Sequence, residues 1–141
     1  NVLSIEKNAF RNCSSLKQIT IPIKVKSINT AAFAGCESLE TIIIPGSVSV
    51  IGDYSFANCS SLKSVIIPIS VKVIEFSAFA GCSRVEAVYF MGSEALWKNI
   101  SMAGSNNQMT EVPRYYYSSI EPAKSGNYWH YDDAGNPVIW E

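Results

Sequence analysis

Ala32-Phe33-Ala34-Gly35-Cys36-Glu37-Ser38-Leu39-Glu40-Thr41-Ile42-Ile43-Ile44-Pro45 is the stretch that decides the fold, because nearly the same words recur on either side of it at one interval. Phe10, Phe33, Phe56 and Phe79 stand 23 residues apart, as do Cys13, Cys36, Cys59 and Cys82, and Pro22, Pro45 and Pro68 keep the same count. A period of ~20 to 50 residues marks a stacked architecture, in which no unit buries its apolar face alone and each does so against its neighbours.

Working outward, the units are Val2 to Lys24, Val25 to Ser47, Val48 to Ser70 and Val71 to Ser93, all of one length. Each opens on a Val-x-x-Ile phrase (Val2 and Ile5, Val25 and Ile28, Val48 and Ile51, Val71 and Ile74) and passes through a polar turn such as Gly52-Asp53. The compact Ala-Phe-x-Gly/Asn-Cys segment that follows is too short for a full helix and reads as a 3₁₀ or single α turn. Then comes Leu-x-x-Ile-x-Ile-Pro, with Leu39, Ile42 and Ile44 as the model and Val85, Val88 and Phe90 as its degraded fourth copy. Alternation of period two is a strand signal, and the closing Pro lacks the amide a ladder needs. The core is therefore expected to be columns of like residues, with coils ~4.8 Å apart and four coils spanning roughly 15 to 20 Å.

Composition narrows the function classes. With 48% apolar and 16% charged residues and a net charge of −1, the chain can build a continuous core and has neither a basic footprint for nucleic acid nor a polybasic membrane patch. Its longest apolar runs fall far short of the ~20 residues a membrane helix needs, so no membrane insertion is expected. Asn1 sits at the repeat position of Lys24, Ser47, Ser70 and Ser93, so the start reads as a cut through a longer array.

Leu-x-x-Ile-x-Ile-Pro in a 23-residue unit that carries Ala-Phe-x-Gly-Cys resembles the BspA-like branch of the leucine-rich repeats, over residues 2 to 93. The resemblance implies an α/β, β-rich solenoid: a right-handed superhelix with a parallel sheet on one face and short 3₁₀ or helical turns on the other. It also implies a home on secreted or surface-attached bacterial proteins that contact other macromolecules. Residues 1–93 are thus expected to be four repeats, and 94–141 a degenerate fifth repeat plus a C-terminal cap. In that fifth repeat Ser101 to Ser105 aligns with Ala78 to Cys82, Trp97 takes the place of Ile74, and Met109 and Val112 replace the strand Leu and Ile, with Arg114 to Tyr117 prolonging the strand. Tyr128 to Tyr131 and Val138 to Trp140 flank Asp132-Asp133-Ala134-Gly135-Asn136, which predicts a β-hairpin turning at Ala134 to Asn136.

Four features compete as sites. Thr20, Ile43, Ile66 and Tyr89 lie between inward Ile residues and should stand on the outer face of the sheet, a contact column for a protein partner; the bland reading is that β-branched residues suit strands. Tyr128, Trp129, Tyr131 and Trp140, with the neighbouring Tyr115 to Tyr117, offer a stacking platform for sugars, as the phrase Trp129 to Asn136 is similar to one unit of the choline- or glucan-binding cell-wall repeats; capping is the competing role. Lys17, Glu40, Lys63 and Glu86 alternate in sign along one strand position, which cross-strand stabilisation explains. The cysteines are expected to be free thiols filling the core, since stacked side chains point the same way and bridge poorly. No cofactor or metal is implied, as one Cys per coil lacks ligand spacing and the repeats hold no His. His130 has no partnered nucleophile, and Asn12, Asn58 and Asn99 match glycosylation sequons, the first two at turns that explain them. The expectation is a monomeric, non-enzymatic interaction or adhesion scaffold, secreted or on the cell surface; a cell-wall or carbohydrate-binding module and a structural spacer stand as alternatives.

Overall fold

The structure, a computed structural model, describes residues 2–140. In chain order its elements are β1 (Ser4–Ile5), β2 (Ser27–Ile28), β3 (Thr41–Ile43), β4 (Val50–Ile51), β5 (Ser64–Ile67), β6 (Val73–Ile74), β7 (Ala87–Phe90), α1 (Glu94–Trp97), β8 (Ser101–Met102), α2 (Asn107–Thr110), β9 (Arg114–Tyr117), β10 (Tyr128–Tyr131) and β11 (Pro137–Ile139). They form a β-solenoid with two sheets. The larger, ordered β11-β10-β9-β7-β5-β3, comes from the second to fourth Ile-x-Ile phrases and the tail, the expected strand at Ile19 and Ile21 being absent; the smaller, ordered β1-β2-β4-β6-β8, comes from the ends of the Val-x-x-Ile phrases and, in β8, from Ser101 and Met102. The smaller sheet was not visible in the repeat because its strands are two residues long, too short for alternation to show.

Register confirms the period: Ile28 lies opposite Ile51, Ile51 opposite Ile74, Ile42 opposite Val65 and Val65 opposite Val88, all in parallel pairs. Like residues therefore stack. Val25, Val48 and Val71, the Ile28 series, the Leu39 series and Phe33, Phe56 and Phe79 make one continuous buried core. Successive Phe rings are stacked with centroids 5.1, 5.2 and 5.2 Å apart, the spacing the strand ladder imposes. At the first coil the columns thin, with Phe10, Leu16 and Ile19 only partly buried and Cys13 exposed.

The compact Phe-Cys segment is a run of turns in which the amides divide their work. Cys36 N–H closes a turn on Phe33 O at 3.1 Å, whereas Phe33 N–H and Gly35 N–H donate across to Ser55 O and Ala57 O of the next coil at 2.7 and 2.8 Å. Chain closure and coil stacking are thus built from the same few residues. The thiols join in: Cys36, Cys59 and Cys82 donate to the Phe10, Phe33 and Phe56 carbonyls of the preceding coil at 3.2, 3.3 and 3.1 Å. All four cysteines are free. Asn12, Gly35, Asn58 and Gly81 share one turn position, each with φ between 59° and 75°, a left-handed conformation open to Gly and tolerated by Asn. Their alternation is not interchangeable, because a Cβ on Gly35 or Gly81 would overlap the side-chain oxygen of Asn12 or Asn58 in the coil before.

Past Phe90 the register differs from the expected one. Ser101 and Met102 pair with Val73 and Ile74, so Met102, not Trp97, takes the place of Ile74. The period fails there because α1 lengthens the coil; Trp97 instead packs by its edge on Phe90, 5.3 Å between centroids. The buried Asn106 side chain then does what a backbone does in regular coils: its Oδ1 accepts from Phe79 N–H at 3.0 Å, while its Nδ2 donates to Glu75 O and Ala103 O. Met109 is fully buried and Val112 packs on the core, but opposite Val88 and Phe90 stand Arg114 and Tyr116. Strand β10 adds in parallel to β9, and β11 returns antiparallel, so the hairpin extends the larger sheet two strands beyond the last coil. Its turn is held by Asp132, whose carboxylate accepts from the amides of Ala134 and Asn136 at 2.9 and 2.8 Å, with Gly135 at φ 81°.

Candidate functional site

The outer face of the larger sheet holds the expected contact column, with two corrections. Thr20 is exposed but lies outside the sheet, whose edge strand is β3, and Ile66 is only 2% exposed, whereas Ile43 is 53% exposed and Tyr89 is half-buried. Ile66 lies mid-ladder, opposite Ile43 on one side and Tyr89 on the other, and two large neighbours at strand spacing close over it. Ile43 escapes this because it is on β3, the edge strand, which pairs with β5 on one side only.

Beyond Tyr89 the face becomes aromatic. Tyr115 lies opposite Tyr89 and stacks on it at 5.7 Å, and Tyr117, two residues on, lies on the same face opposite Trp129. Trp129 is fully buried at the centre of this group, edge-on to Tyr89, Tyr117 and Tyr131 at 5.4, 5.3 and 4.9 Å. Its indole N–H reaches back to Phe90 O at 3.0 Å, and the Tyr131 hydroxyl reaches over to the Met91 sulfur at 3.7 Å. These contacts fasten the hairpin to the repeats. Burial pushes the Tyr89 and Tyr131 phenols above their ordinary pKa, so both stay neutral donors.

The expected sugar platform of Tyr128, Trp129, Tyr131 and Trp140 is therefore not one surface. Trp129 offers no free face, and strand alternation sends Trp129 and Tyr131 outward while Tyr128, opposite Tyr116 and in line with the core residue Phe90, faces the other way. Trp140 stacks on His130 at 3.9 Å and donates its indole N–H to Ser118 O. Tyr115 and Tyr117 belong to the contact column although the sequence reading grouped them with the tail; the alternation in Arg114 to Tyr117, continued from Tyr89, is the signal that assigns them.

The charged ladder forms in part. Lys63 and Glu40 make a 3.1 Å ion pair with both side chains about half exposed, and an exposed pair of this kind contributes ~0 to 1 kcal/mol. His130 is half-buried against Trp140, with Nδ1 2.9 Å from Tyr131 O. Among the described residues no three His, Cys, Asp or Glu side chains come together, and no helix is long and apolar enough to cross a membrane.

A stacked array of short parallel strands with a surface column on one sheet defines the molecule as a repeat scaffold of the leucine-rich class. The chain belongs to the BspA-type leucine-rich-repeat family: residues 1–120 match the model for the BspA type leucine rich repeat region. Among solved structures it is similar to a leucine rich cell surface protein from Faecalibacterium prausnitzii A2-165, with 38% identity and a TM-score of 0.69 over 71% of this chain. It is also similar to a leucine rich repeat protein of T. pallidum, with 28% identity and a TM-score of 0.57 over 84% of this chain. The chain spans 26% of the first structure and 57% of the second. A comparison with curated proteins finds no match.

Proposed function

We propose that the protein is a non-enzymatic interaction scaffold, displayed on or outside a bacterial cell, whose larger sheet meets a protein partner through its outer face. The observation that carries the reading is the column of Ile43, Tyr89, Tyr115 and Tyr117, with the exposed Thr20 outside its edge strand, which stays at least partly open to solvent at positions where the fold asks for no apolar residue. Ile66 is its support and not part of the contact. Tyrosines fixed by stacking offer large, amphipathic contact area at little entropic cost, the composition favoured at interaction hot spots. The cell-surface description of the F. prausnitzii relative supports the location, and the repeat family supports the scaffold role.

The test changes Ile43 to Ser, Tyr89 to Ser and Tyr115 to Ser together and measures adhesion of the purified protein to extracellular-matrix and bacterial-surface proteins. Binding by the parent chain that falls at least tenfold in the variant, with the melting curve still cooperative, supports the reading. Unchanged binding by a folded variant places the contact elsewhere.

A further inference from the structure

The four cysteines stand in one column, and its first member differs from the rest. Cys36, Cys59 and Cys82 are fully buried and donate to carbonyls of the coil before, whereas Cys13 is exposed. The first coil is held closely on the second at this point: Phe10 N–H and Asn12 N–H donate to Ala32 O and Ala34 O, both at 2.7 Å, and the Phe10 and Phe33 rings lie 5.1 Å apart with an interplanar angle of 2°. Cys13 N–H and Cys36 N–H close the same turn in their own coils, on Phe10 O and Phe33 O, both at 3.1 Å. One coil step therefore relates Cys13 to Cys36, which sets their sulfurs ~5 Å apart, the spacing of the strand ladder.

That separation fits one chemistry and fails two others. A disulfide needs ~2.05 Å between sulfurs, so the pair would have to close by ~3 Å against the bonds that hold the coils. Tetrahedral zinc needs four ligands around one point, and among the described residues no three His, Cys, Asp or Glu side chains meet. A single ion lying between two thiolates needs sulfurs about two metal–sulfur bonds of ~2.3 Å apart, or ~4.6 Å, a difference that a small rotation of the exposed Cys13 side chain makes up. Cys36 Sγ donates to Phe10 O at 3.2 Å, so its proton already points into the first coil, where an ion replacing that proton meets Cys13. Ligand spacing is ordinarily sought along the chain; here stacking supplies it between residues 23 positions apart. Cys59 and Cys82 repeat the spacing but are fully buried, so the first pair is the one that meets solvent.

We infer that Cys13 and Cys36 form a two-coordinate site for a soft monovalent cation of the Cu(I) and Ag(I) class. Soft thiolates select such ions, and a filled-shell monovalent ion accepts linear coordination by two sulfurs, which Zn(II) and harder cations do not. On binding, the two S–H protons leave to solvent and two sulfur–metal bonds form, so no oxidant or reductant takes part. Burial, with the Cys59 and Cys13 thiols alongside, raises the Cys36 pKa, so hard cations such as Ca(II) and Mg(II) do not displace its proton. The site shares no residue with the outer-face column and is independent of that reading.

The experiment titrates the reduced full chain with Ag(I) in chloride-free buffer, and with Cu(I) under anaerobic conditions against a chromophoric Cu(I) chelator. Native mass spectrometry counts the bound ions, and X-ray absorption reads the sulfur neighbours. One ion per chain with two sulfur neighbours is expected, together with protection of Cys13 from a thiol reagent. Cys13→Ser, on an exposed side chain, should weaken binding by about a hundredfold or more, since losing even a partner that supports a ligand costs ~10- to 100-fold. Cys36→Ser should do the same; should it loosen the coil, the Cys36 Cβ NMR signal of the parent chain carries the test, and it should move on Ag(I) addition. Affinity unchanged in Cys13→Ser, one sulfur neighbour in place of two, ions spread over all four cysteines, a Cys36 signal that stays put, or Zn(II) bound as tightly as Ag(I) would each overturn the inference.

Discussion

Replacing Gly81 with Ala tests how the coils are kept in register. Two separate effects are expected. Gly81 sits at φ 75°, where an L side chain costs ~1 to 2 kcal/mol relative to a right-handed position. The new Cβ would also overlap Asn58 Oδ1 and come within 3.3 Å of its Cγ, so the Asn58 side chain must leave its rotamer at ~0.5 to 1.5 kcal/mol. Together they destabilise the array by about 1.5 to 3.5 kcal/mol. Asn58→Gly removes the overlap but not the backbone cost, so in the double variant the second effect disappears while the first remains. A four-point cycle of the parent, both single variants and the double variant, read by urea unfolding followed by circular dichroism, should give a coupling of ~0.5 to 1.5 kcal/mol in favour of the double variant. A loss below ~0.5 kcal/mol for Gly81→Ala, or single changes that simply add, would show that the Asn and Gly alternation is incidental.

Three further outcomes follow from the same packing. Phe56→Ala should cost about 3 to 5 kcal/mol in denaturant melts, because Phe56 is fully buried with a stacked ring 5.2 Å away on each side; a loss under ~1 kcal/mol would remove Phe from the core of the argument. Thiol labelling of the native chain should show one fast site, the exposed Cys13, and three slow ones, since Cys36, Cys59 and Cys82 are buried and burial pushes the Cys36 pKa up to about 12; four equal rates would contradict the structure. Asp132, held below its ordinary pKa first by the Asn136 amide and then by the Asn136 side chain, should steady the hairpin turn at neutral pH and lose that contribution as pH falls through its lowered value; NMR titration at or above the ordinary carboxylate value would contradict this sign.

What the sequence made legible is what repetition enforces. A position that recurs in Phe10, Phe33, Phe56 and Phe79 must stack if the units stack, so the core columns and the register of the larger sheet follow from the period alone. Legibility failed where a residue's environment depends on its place in the stack. Ile43 and Ile66 occupy one repeat position, yet one is half exposed at an edge and the other is closed over by Ile43 and Tyr89. It failed again where the period was broken: α1 shifts the count before Met102, and aligning by small residues around Gly104 chose the wrong coil position. Trp129 looked like a ligand platform for a related reason, since composition cannot tell a tryptophan that stacks on a sugar from one buried among tyrosines.

The tail connects stability to function in one step of geometry. A solenoid must satisfy the amides and cover the apolar columns of its last coil. Here the Asn106 amide bonds Phe79 N–H, and Trp97 and Met109 cover the columns. Strand β9 is the sheet strand of that last coil, with Tyr116 packed on the core, and β10 continues the larger sheet past it with Tyr128 on the same face as Tyr116. On the outer side Tyr115 and Tyr117 lengthen the column that begins at Ile43; on the inner side Tyr116 packs on the core and Tyr128 lies beside it in register. Alternation along a single strand, Tyr115-Tyr116-Tyr117, thereby divides contact from packing. Tyr115→Ser should weaken protein adhesion, whereas Tyr116→Ala, on the face packed against the core, should lower the melting temperature and leave adhesion of the folded protein intact; adhesion lost equally in both would mean that the tail acts as one sticky patch.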